Sequence, residues 1–164
     1  MQYVVHTFKP IYNEDSKILI LGTMPSPKSR EYNFYYSHPQ NRFWRILADI
    51  LDQDCPKTNI EKEDFVLRNH IALWDVLKSC NIEGADDNSI KNPEVNDIMP
   101  ILKSSKIQRI FTTGRKATQL YKRYCLKNVG LESFYLPSTS PANCKNYNYD
   151  TLKEEYKVII KYLK

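Results

Sequence analysis

The sequence predicts an α/β fold in which a parallel sheet is covered by helices on both faces. Short apolar segments, which are typical of strands buried on both sides, alternate along the chain with segments of helical periodicity. Such alternation requires right-handed crossover connections between parallel strands, and at least four strands are expected. The chain of 164 residues contains no repeat, low-complexity tract or linker, so residues 1–164 are expected to form a single domain.

The first half of the chain supplies two predicted strands and two predicted helices. Residues 17–21 are an apolar run that ends at Gly22, and they are expected to form the central strand. Residues 41–51 place six large apolar side chains at helical spacing, which predicts an amphipathic helix packed on the sheet. A second helix is predicted over 62–69, followed by a strand over 70–74 that places Asp75 at its end.

The second half continues the pattern after a polar interruption. Residues 83–92 are predicted to form a loop, and Asn92-Pro93 has the form of a helix cap followed by a first-turn proline, with the helix running to about residue 103. A strand over 107–112 and a helix over 116–126 follow. The last elements are a strand over 133–136 and an amphipathic helix over 152–163.

Composition favours an anionic partner in a reducing compartment. The formal net charge is +5, and residues 116–127 contain basic but no acidic side chains. The 12 tyrosines exceed what a core requires, and tyrosine rings are suited to stacking on nucleobases, although most of them can still be core residues. No two of the 4 cysteines lie close enough for the usual metal-site spacing. No secretory signal or membrane span is recognisable, so a cytoplasmic protein with free thiols is expected.

Two polar loops mark the expected site. Residues 22–26 and 35–44 follow the predicted central strand, and residues 136–143 follow the last predicted strand. Loops that leave the carboxyl ends of parallel strands converge on one crevice, so both loops are expected to face a common ligand.

Common catalytic motifs are missing from these loops. The sequence has neither a GxGxxG nor a phosphate-binding GxxxxGK[ST] segment. A hydrolase triad can be written from Ser138, His38 and Asp75, but Ser138 lies in PSTSP and not in the G-x-S-x-G turn that exposes a nucleophile. A hydrolase therefore stays a remote alternative.

The segments GTMPS, YYSHPQNRFW, LWDVL and LPSTSPAN together resemble the uracil-DNA glycosylase superfamily, and most closely its hypoxanthine-DNA (deoxyinosine) glycosylase branch. The resemblance extends from residue 6 to about residue 160. It implies a three-layer α/β/α sandwich with a central four-stranded, possibly five-stranded, parallel sheet. It also implies an enzyme without metal or cofactor that excises a deaminated base, chiefly hypoxanthine, from DNA and leaves an abasic site. A monomer is expected, located in the cytoplasm and, in a bacterium, associated with the nucleoid.

The resemblance also implies roles for individual residues. A glycosylase takes its target base out of the stack and holds it in a pocket. Tyr36 occupies the position of an aromatic that stacks on the flipped base, and Asn41 takes the catalytic role. Met24 stands where mismatch glycosylases of the family carry a water-orienting asparagine, which a methionine cannot replace. The expected base pocket consists of Gly22, Thr23, Met24, Pro25, Ser26, Tyr36 and Asp75.

The remaining expected site residues face the DNA. Hydroxyls of the PSTSP segment are expected to bind phosphates beside the target, and the residues after it to enter the gap left by the flipped nucleotide. No lysine stands in either motif at a Schiff-base position, so a monofunctional glycosylase is expected, although Lys28 is close. The expected DNA contacts are His38, Lys116, Ser138, Thr139, Ser140, Pro141, Ala142 and Asn143.

Several alternatives remain open from the sequence. Asn41 directly precedes a predicted helix and can act as its cap, Tyr36 can be a core residue, and PSTSPAN can be a rigid turn. The substrate can instead be uracil, xanthine or a mismatched base. Because of Met24, a catalytically inactive module that binds DNA or a nucleotide is the alternative of a different class.

Overall fold

The computed structural model describes residues 1–164 and contains seven strands in two sheets. The strands are β1 (Gln2–Val5), β2 (Ile18–Gly22), β3 (Ile71–Asp75), β4 (Leu77–Glu83), β5 (Asp86–Val95), β6 (Arg109–Thr113) and β7 (Ser133–Leu136). The helices are α1 (Pro27–Tyr32), α2 (Phe43–Ile50), α3 (Asn59–Arg68), α4 (Met99–Lys103), α5 (Arg115–Tyr124), α6 (Leu126–Val129) and α7 (Tyr149–Tyr156). Two 3₁₀ segments lie at Pro141–Asn143 and Lys157–Tyr162.

The central sheet is parallel and has four strands in the order β3-β2-β6-β7. Every residue of β2 is buried, because alternate side chains enter two separate hydrophobic clusters. Ile18 and Ile20 pack with residues of α2, α3 and α7, whereas Leu19 and Leu21 pack with residues of α4 and α5. Helices therefore cover both faces, and the predicted three-layer α/β/α arrangement with a four-stranded sheet is confirmed.

A second sheet, antiparallel and in the order β1-β4-β5, was not predicted. The prediction of a loop over 83–92 and of a helix beginning at Asn92-Pro93 was wrong, because β4 and β5 form a hairpin and α4 begins only at Met99. Pro93 fits here because β5 is an edge strand, where the missing amide is tolerated, and its pairing with β4 is irregular. Ile82 and Ile90 bury the inner face of the hairpin against the second cluster.

The helical predictions need smaller corrections. Helix α2 begins at Phe43 because Asn41 and Arg42 belong to the preceding loop, and α3 begins at Asn59 because the Thr58 hydroxyl caps it. The last helix is α7, which continues as a 3₁₀ segment. The short helix α1 follows the Ser26 cap directly and was not predicted. All four cysteines are free, and none of the helices has the length and apolar character needed to cross a membrane.

Candidate active site

A cavity of about 390 Å³ opens at the carboxyl edge of the parallel sheet, as the convergence of the strand-end loops predicts. Its volume is typical of a small-molecule site. It brings together every residue predicted for the site except Asn143 and Lys116. The sequence-distant segments GTMPS, YYSHPQN and PSTSPA thus line one space.

Asn41 is held so that its side-chain amide group is available to the cavity. Its Oδ1 accepts hydrogen bonds from the Phe43 amide at 2.9 Å and from the Thr139 hydroxyl at 2.8 Å. A backbone amide can only donate, so these contacts fix Oδ1 on the protein side and Nδ2 on the other. Nδ2 donates to no protein atom and is not among the buried polar atoms that lack a partner, so it is accessible. The side chain therefore supports the start of α2 and also presents a free donor.

Tyr36 is a strained, tightly packed residue of the cavity wall. Its φ of 53° lies in the left-handed region, which bulky residues rarely adopt and which is common at functional sites. The ring stacks on Phe43 with centroids 3.9 Å apart and an interplanar angle of 15°. Its hydroxyl is buried without a hydrogen-bond partner, and burial raises the pKa of Tyr36 well above its usual value. The phenol therefore stays protonated at neutral pH.

Asp75 is paired with His6, a residue that the sequence analysis missed. Asp75 Oδ2 lies 2.8 Å from His6 Nε2, and the two side chains are only 6% and 1% exposed. The His6 ring is packed beside Phe8, Tyr35 and Trp74. A single histidine in an N-terminal strand-like stretch, 69 residues from its partner, gives no spacing signal in the sequence. The pair fixes one carboxylate oxygen and leaves Oδ1 free.

The β4–β5 hairpin supplies a wall of the cavity that the sequence did not predict. Ile82, Gly84, Ala85 and Asp87 line it, and Asp87 Oδ2 accepts a hydrogen bond from the Thr23 hydroxyl at 3.2 Å. Burial raises the pKa of Asp87, opposed by the Thr23 hydrogen bond and reinforced by the charge of Asp75. The hairpin is thereby joined to the loop that follows β2.

Substitution of Asp87 by asparagine should stabilise the protein at neutral pH. A carboxyl whose pKa is raised by folding favours the folded state when protonated, and this contribution is lost as pH rises through the folded-state pKa. The neutral amide keeps an acceptor for Thr23 and avoids burying a charge. We expect Tm to rise by a few degrees at pH 7.5, and the difference to shrink as pH falls toward the ordinary aspartate value of 3.8. Thermal denaturation across this range measures it, and a Tm difference that does not change with pH would contradict the assignment.

The PSTSPAN loop is a rigid turn anchored by a buried arginine. The Ser140 hydroxyl accepts from the Ala142 amide, and the Asn143 side chain donates to the Ser138 carbonyl. Arg42 donates from Nη1 to the Tyr147 carbonyl at 2.6 Å and from Nη2 to the Ser140 carbonyl at 3.2 Å. These contacts attach the loop to the start of α2.

Thr139 differs in its contacts from the other two hydroxyl residues of the PSTSP segment. The residue is 2% exposed, and its hydroxyl donates to Asn41. Ser138 and Ser140, by contrast, are only half-buried. The PSTSP hydroxyls therefore divide into one that supports Asn41 and two near the surface.

The basic side chains near the cavity differ in their settings. His38 Nδ1 accepts from the Gln40 amide at 3.0 Å, which leaves Nε2 as the donor of the neutral ring. Lys28 lines the cavity and pairs with Glu31 at 3.1 Å, and its hydrogen bond and attraction to Glu31 raise the pKa of Lys28. Lys116 lies in the first turn of α5, outside the cavity lining, and its charge acts on Asp87.

Comparison with known proteins identifies the family. The model of the uracil DNA glycosylase superfamily matches residues 9–164. The chain belongs to the uracil DNA glycosylase superfamily.

Individual superfamily relatives agree with this membership. The chain is 36% identical over 139 residues to a Methanosarcina barkeri protein named hypoxanthine DNA glycosylase, a match that covers 83% of this chain and 86% of the relative. A Methanosarcina acetivorans protein of the same name is 36% identical over 138 residues, with the same coverage. A solution NMR structure of a candidate uracil DNA glycosylase from Methanosarcina acetivorans superposes with a TM-score of 0.83 at 30% identity, covering 99% of both chains.

Proposed function

We propose that this superfamily member is a DNA glycosylase that hydrolyses the N-glycosidic bond of hypoxanthine in DNA and leaves an abasic site. The relatives named hypoxanthine DNA glycosylase support the reaction and the base. The observation that carries the proposal is the Asn41 amide, whose oxygen is held by Thr139 and Phe43 while its NH₂ group is free beside the cavity.

Charge develops on both fragments as the glycosidic bond breaks. The bonding electrons move onto the purine ring, the sugar becomes positively charged, and water adds to the sugar carbon with release of a proton. A fixed donor aimed at the base lowers this barrier because it stabilises negative charge without reorganising. The Nδ2 group of Asn41 is such a donor. Its Oδ1 already accepts two hydrogen bonds, so we assign it no role in activating water.

The other site residues fit a base-flipping enzyme. Stacking on Phe43 holds the Tyr36 ring in place, and we propose that Tyr36 packs against the flipped base. The exposed Ala142 with its neighbours Pro141 and Asn143 is assigned to the gap in the duplex, and Ser138, Ser140, His38 and Lys116 to the DNA backbone. Thr139 is assigned to the support of Asn41.

The reaction is proposed to be monofunctional. Formation of a Schiff base requires a neutral lysine amine, and such lysines have a lowered pKa. Lys28 is the lysine of the cavity lining, and its pairing with Glu31 raises the pKa of its amine. We further propose that residues 1–164 act as one domain and as a monomer, on DNA in the cytoplasm.

Excision from a defined duplex tests the proposal. Purified protein in excess is incubated with a labelled duplex that contains one deoxyinosine, and abasic sites are then cleaved with alkali. We expect strand cleavage only after alkali, and parallel duplexes with deoxyuridine or deoxyxanthosine rank the lesions. An intact deoxyinosine strand would refute hypoxanthine excision, and binding without excision of any lesion would favour an inactive DNA-binding module. Cleavage without alkali would refute the monofunctional mechanism.

A further inference from the structure

We infer that Asp75, positioned by His6, accepts a hydrogen bond from the ring N–H of the flipped base and so recognises the lactam edge by which hypoxanthine differs from adenine. This inference rests on the proposed glycosylase function and adds a specificity-determining residue to it.

The two oxygens of the Asp75 carboxylate have different surroundings. Oδ2 lies against His6 Nε2, inside an aromatic enclosure formed by Phe8, Tyr35 and Trp74. Oδ1 accepts no hydrogen bond from the protein, yet it is not sealed in the interior, and Asp75 lines the cavity. An acceptor in this position, with its partner oxygen immobilised, is arranged to receive a donor from a bound molecule.

Gly22 makes this placement possible. A Cβ atom on Gly22 would lie 2.5 Å from Asp75 Oδ1, closer than any van der Waals contact allows. The same point lies 3.3 Å from the Tyr36 hydroxyl and 3.6 Å from the Thr113 hydroxyl. Oδ1 therefore occupies the side-chain space of Gly22, beside the aromatic residue proposed to stack on the base.

The hydrogen-bonding groups on the purine edge explain why such an acceptor distinguishes hypoxanthine from adenine. Hypoxanthine carries an N–H at ring position 1 beside a carbonyl, whereas adenine carries an unprotonated nitrogen at position 1 beside an amino group. An ionised carboxylate only accepts hydrogen bonds, so it attracts the N–H of hypoxanthine and repels the lone pair of adenine. Buried groups that require a specific partner discriminate more strongly than apolar contacts do. Uracil, xanthine, guanine and thymine also carry a ring N–H beside a carbonyl, so this contact separates hypoxanthine from adenine but does not by itself exclude guanine or thymine.

The Asp75–His6 pair leaves one carboxylate oxygen for a bound base. The His6 ring nitrogen lies 2.8 Å from Oδ2, so Oδ1 is the oxygen without a partner in the protein. Asn41, on the same cavity, supplies the opposite function, because it donates to the base where Asp75 accepts from it. One donor and one acceptor then fix the orientation of a purine.

A thermodynamic cycle that combines one substitution in the protein with one change of the target base in the DNA tests this contact. Single-turnover excision is measured from duplexes that contain hypoxanthine or unsubstituted purine, which lacks both the N–H and the carbonyl, with the wild type and with Asp75→Ala. Purine has no N–H at position 1 and turns a lone pair toward the carboxylate, so the substitution should slow hypoxanthine excision by about 10- to 100-fold and leave purine excision unchanged or faster. The difference between the two rates should shrink in the variant.

Control variants and alternative outcomes keep the test decisive. Asp54→Asn removes one exposed carboxylate elsewhere on the surface and controls for net charge. Asp75→Asn, which preserves the shape of the side chain, should act in the same direction but more weakly, and it replaces Asp75→Ala if that variant fails to melt cooperatively. Equal slowing on both bases, including complete loss on both, would overturn the inference and indicate a role in water positioning. Failure of the wild type to excise hypoxanthine would instead refute the proposed function.

Discussion

Asn41→Asp should lower hypoxanthine excision by about 100- to 1000-fold without unfolding the protein, as expected for loss of one transition-state donor. One aspartate oxygen can still accept from the Phe43 amide and the Thr139 hydroxyl, so the start of α2 stays supported. The other oxygen replaces the free NH₂ group, and its charge opposes the charge that develops on the base. Single-turnover excision, with Tm as the measure of folding, separates the supporting role from the donor role.

Two further variants identify which role of Asn41 matters. Asn41→Ala removes both functions and should add a loss of stability of about 1 kcal/mol, typical for a lost cap. Gln40→Glu adds the same charge at the neighbouring exposed position and shows how much of the loss reflects repulsion from DNA. Near-normal excision by Asn41→Asp would reject Asn41 as the donor and leave it only its structural role.

Arg42→Met should destabilise the protein by about 2 kcal/mol and lower Tm by about 4 to 8 °C. Arg42 is 6% exposed, and its guanidinium donates to two carbonyls, which the substitution leaves without their charged donor. Arg42 forms no salt bridge and its Nε has no partner, so removal of its desolvation cost offsets part of the loss. Because Ser140 is one of the acceptors, excision should fall together with stability.

Arg45→Met is the matched control for this prediction. Arg45 lies in the first turn of α2, three residues after Arg42, and is exposed, so its substitution should change Tm by little. Hydrogen exchange at residues 138–143 should increase in Arg42→Met and stay unchanged in Arg45→Met. Equal Tm values for the two variants would show that the Arg42 side chain is not needed to hold the PSTSPAN loop.

Local patterns were sufficient to predict the parallel sheet and most of its helices. Strand β2 is buried on both faces, so its apolar run is continuous and easily recognised, and the cavity follows from the rule that strand ends converge. The structural role of Asn41 was also visible in part, since its position before a helix predicted a contact with the helix start, which its hydrogen bond from the Phe43 amide provides. In each case the prediction depended on a residue pattern within one short segment of the sequence.

The missed features all depend on contacts between distant residues. The β4–β5 hairpin contains polar, turn-forming residues and Pro93, so its local sequence resembles a loop and a helix start, and its strand character comes from pairing with β1 and burial of Ile82 and Ile90. The role of His6 depends on its contact with Asp75, and the role of Arg42 on its two carbonyl acceptors. Neither contact can be read from the local sequence.

The hairpin wall gives the cavity two independent structural origins. The strand ends and loops of the parallel sheet supply Asn41, Tyr36 and Asp75, while Ile82 to Asp87 come from a strand pair whose tip at Gly84 is exposed. Insertions or deletions at that tip would widen or narrow the opening without perturbing the layers beneath. Changes confined to the β4–β5 turn would therefore alter the size of base that the cavity admits. Asn41, Tyr36 and Asp75 would keep their positions.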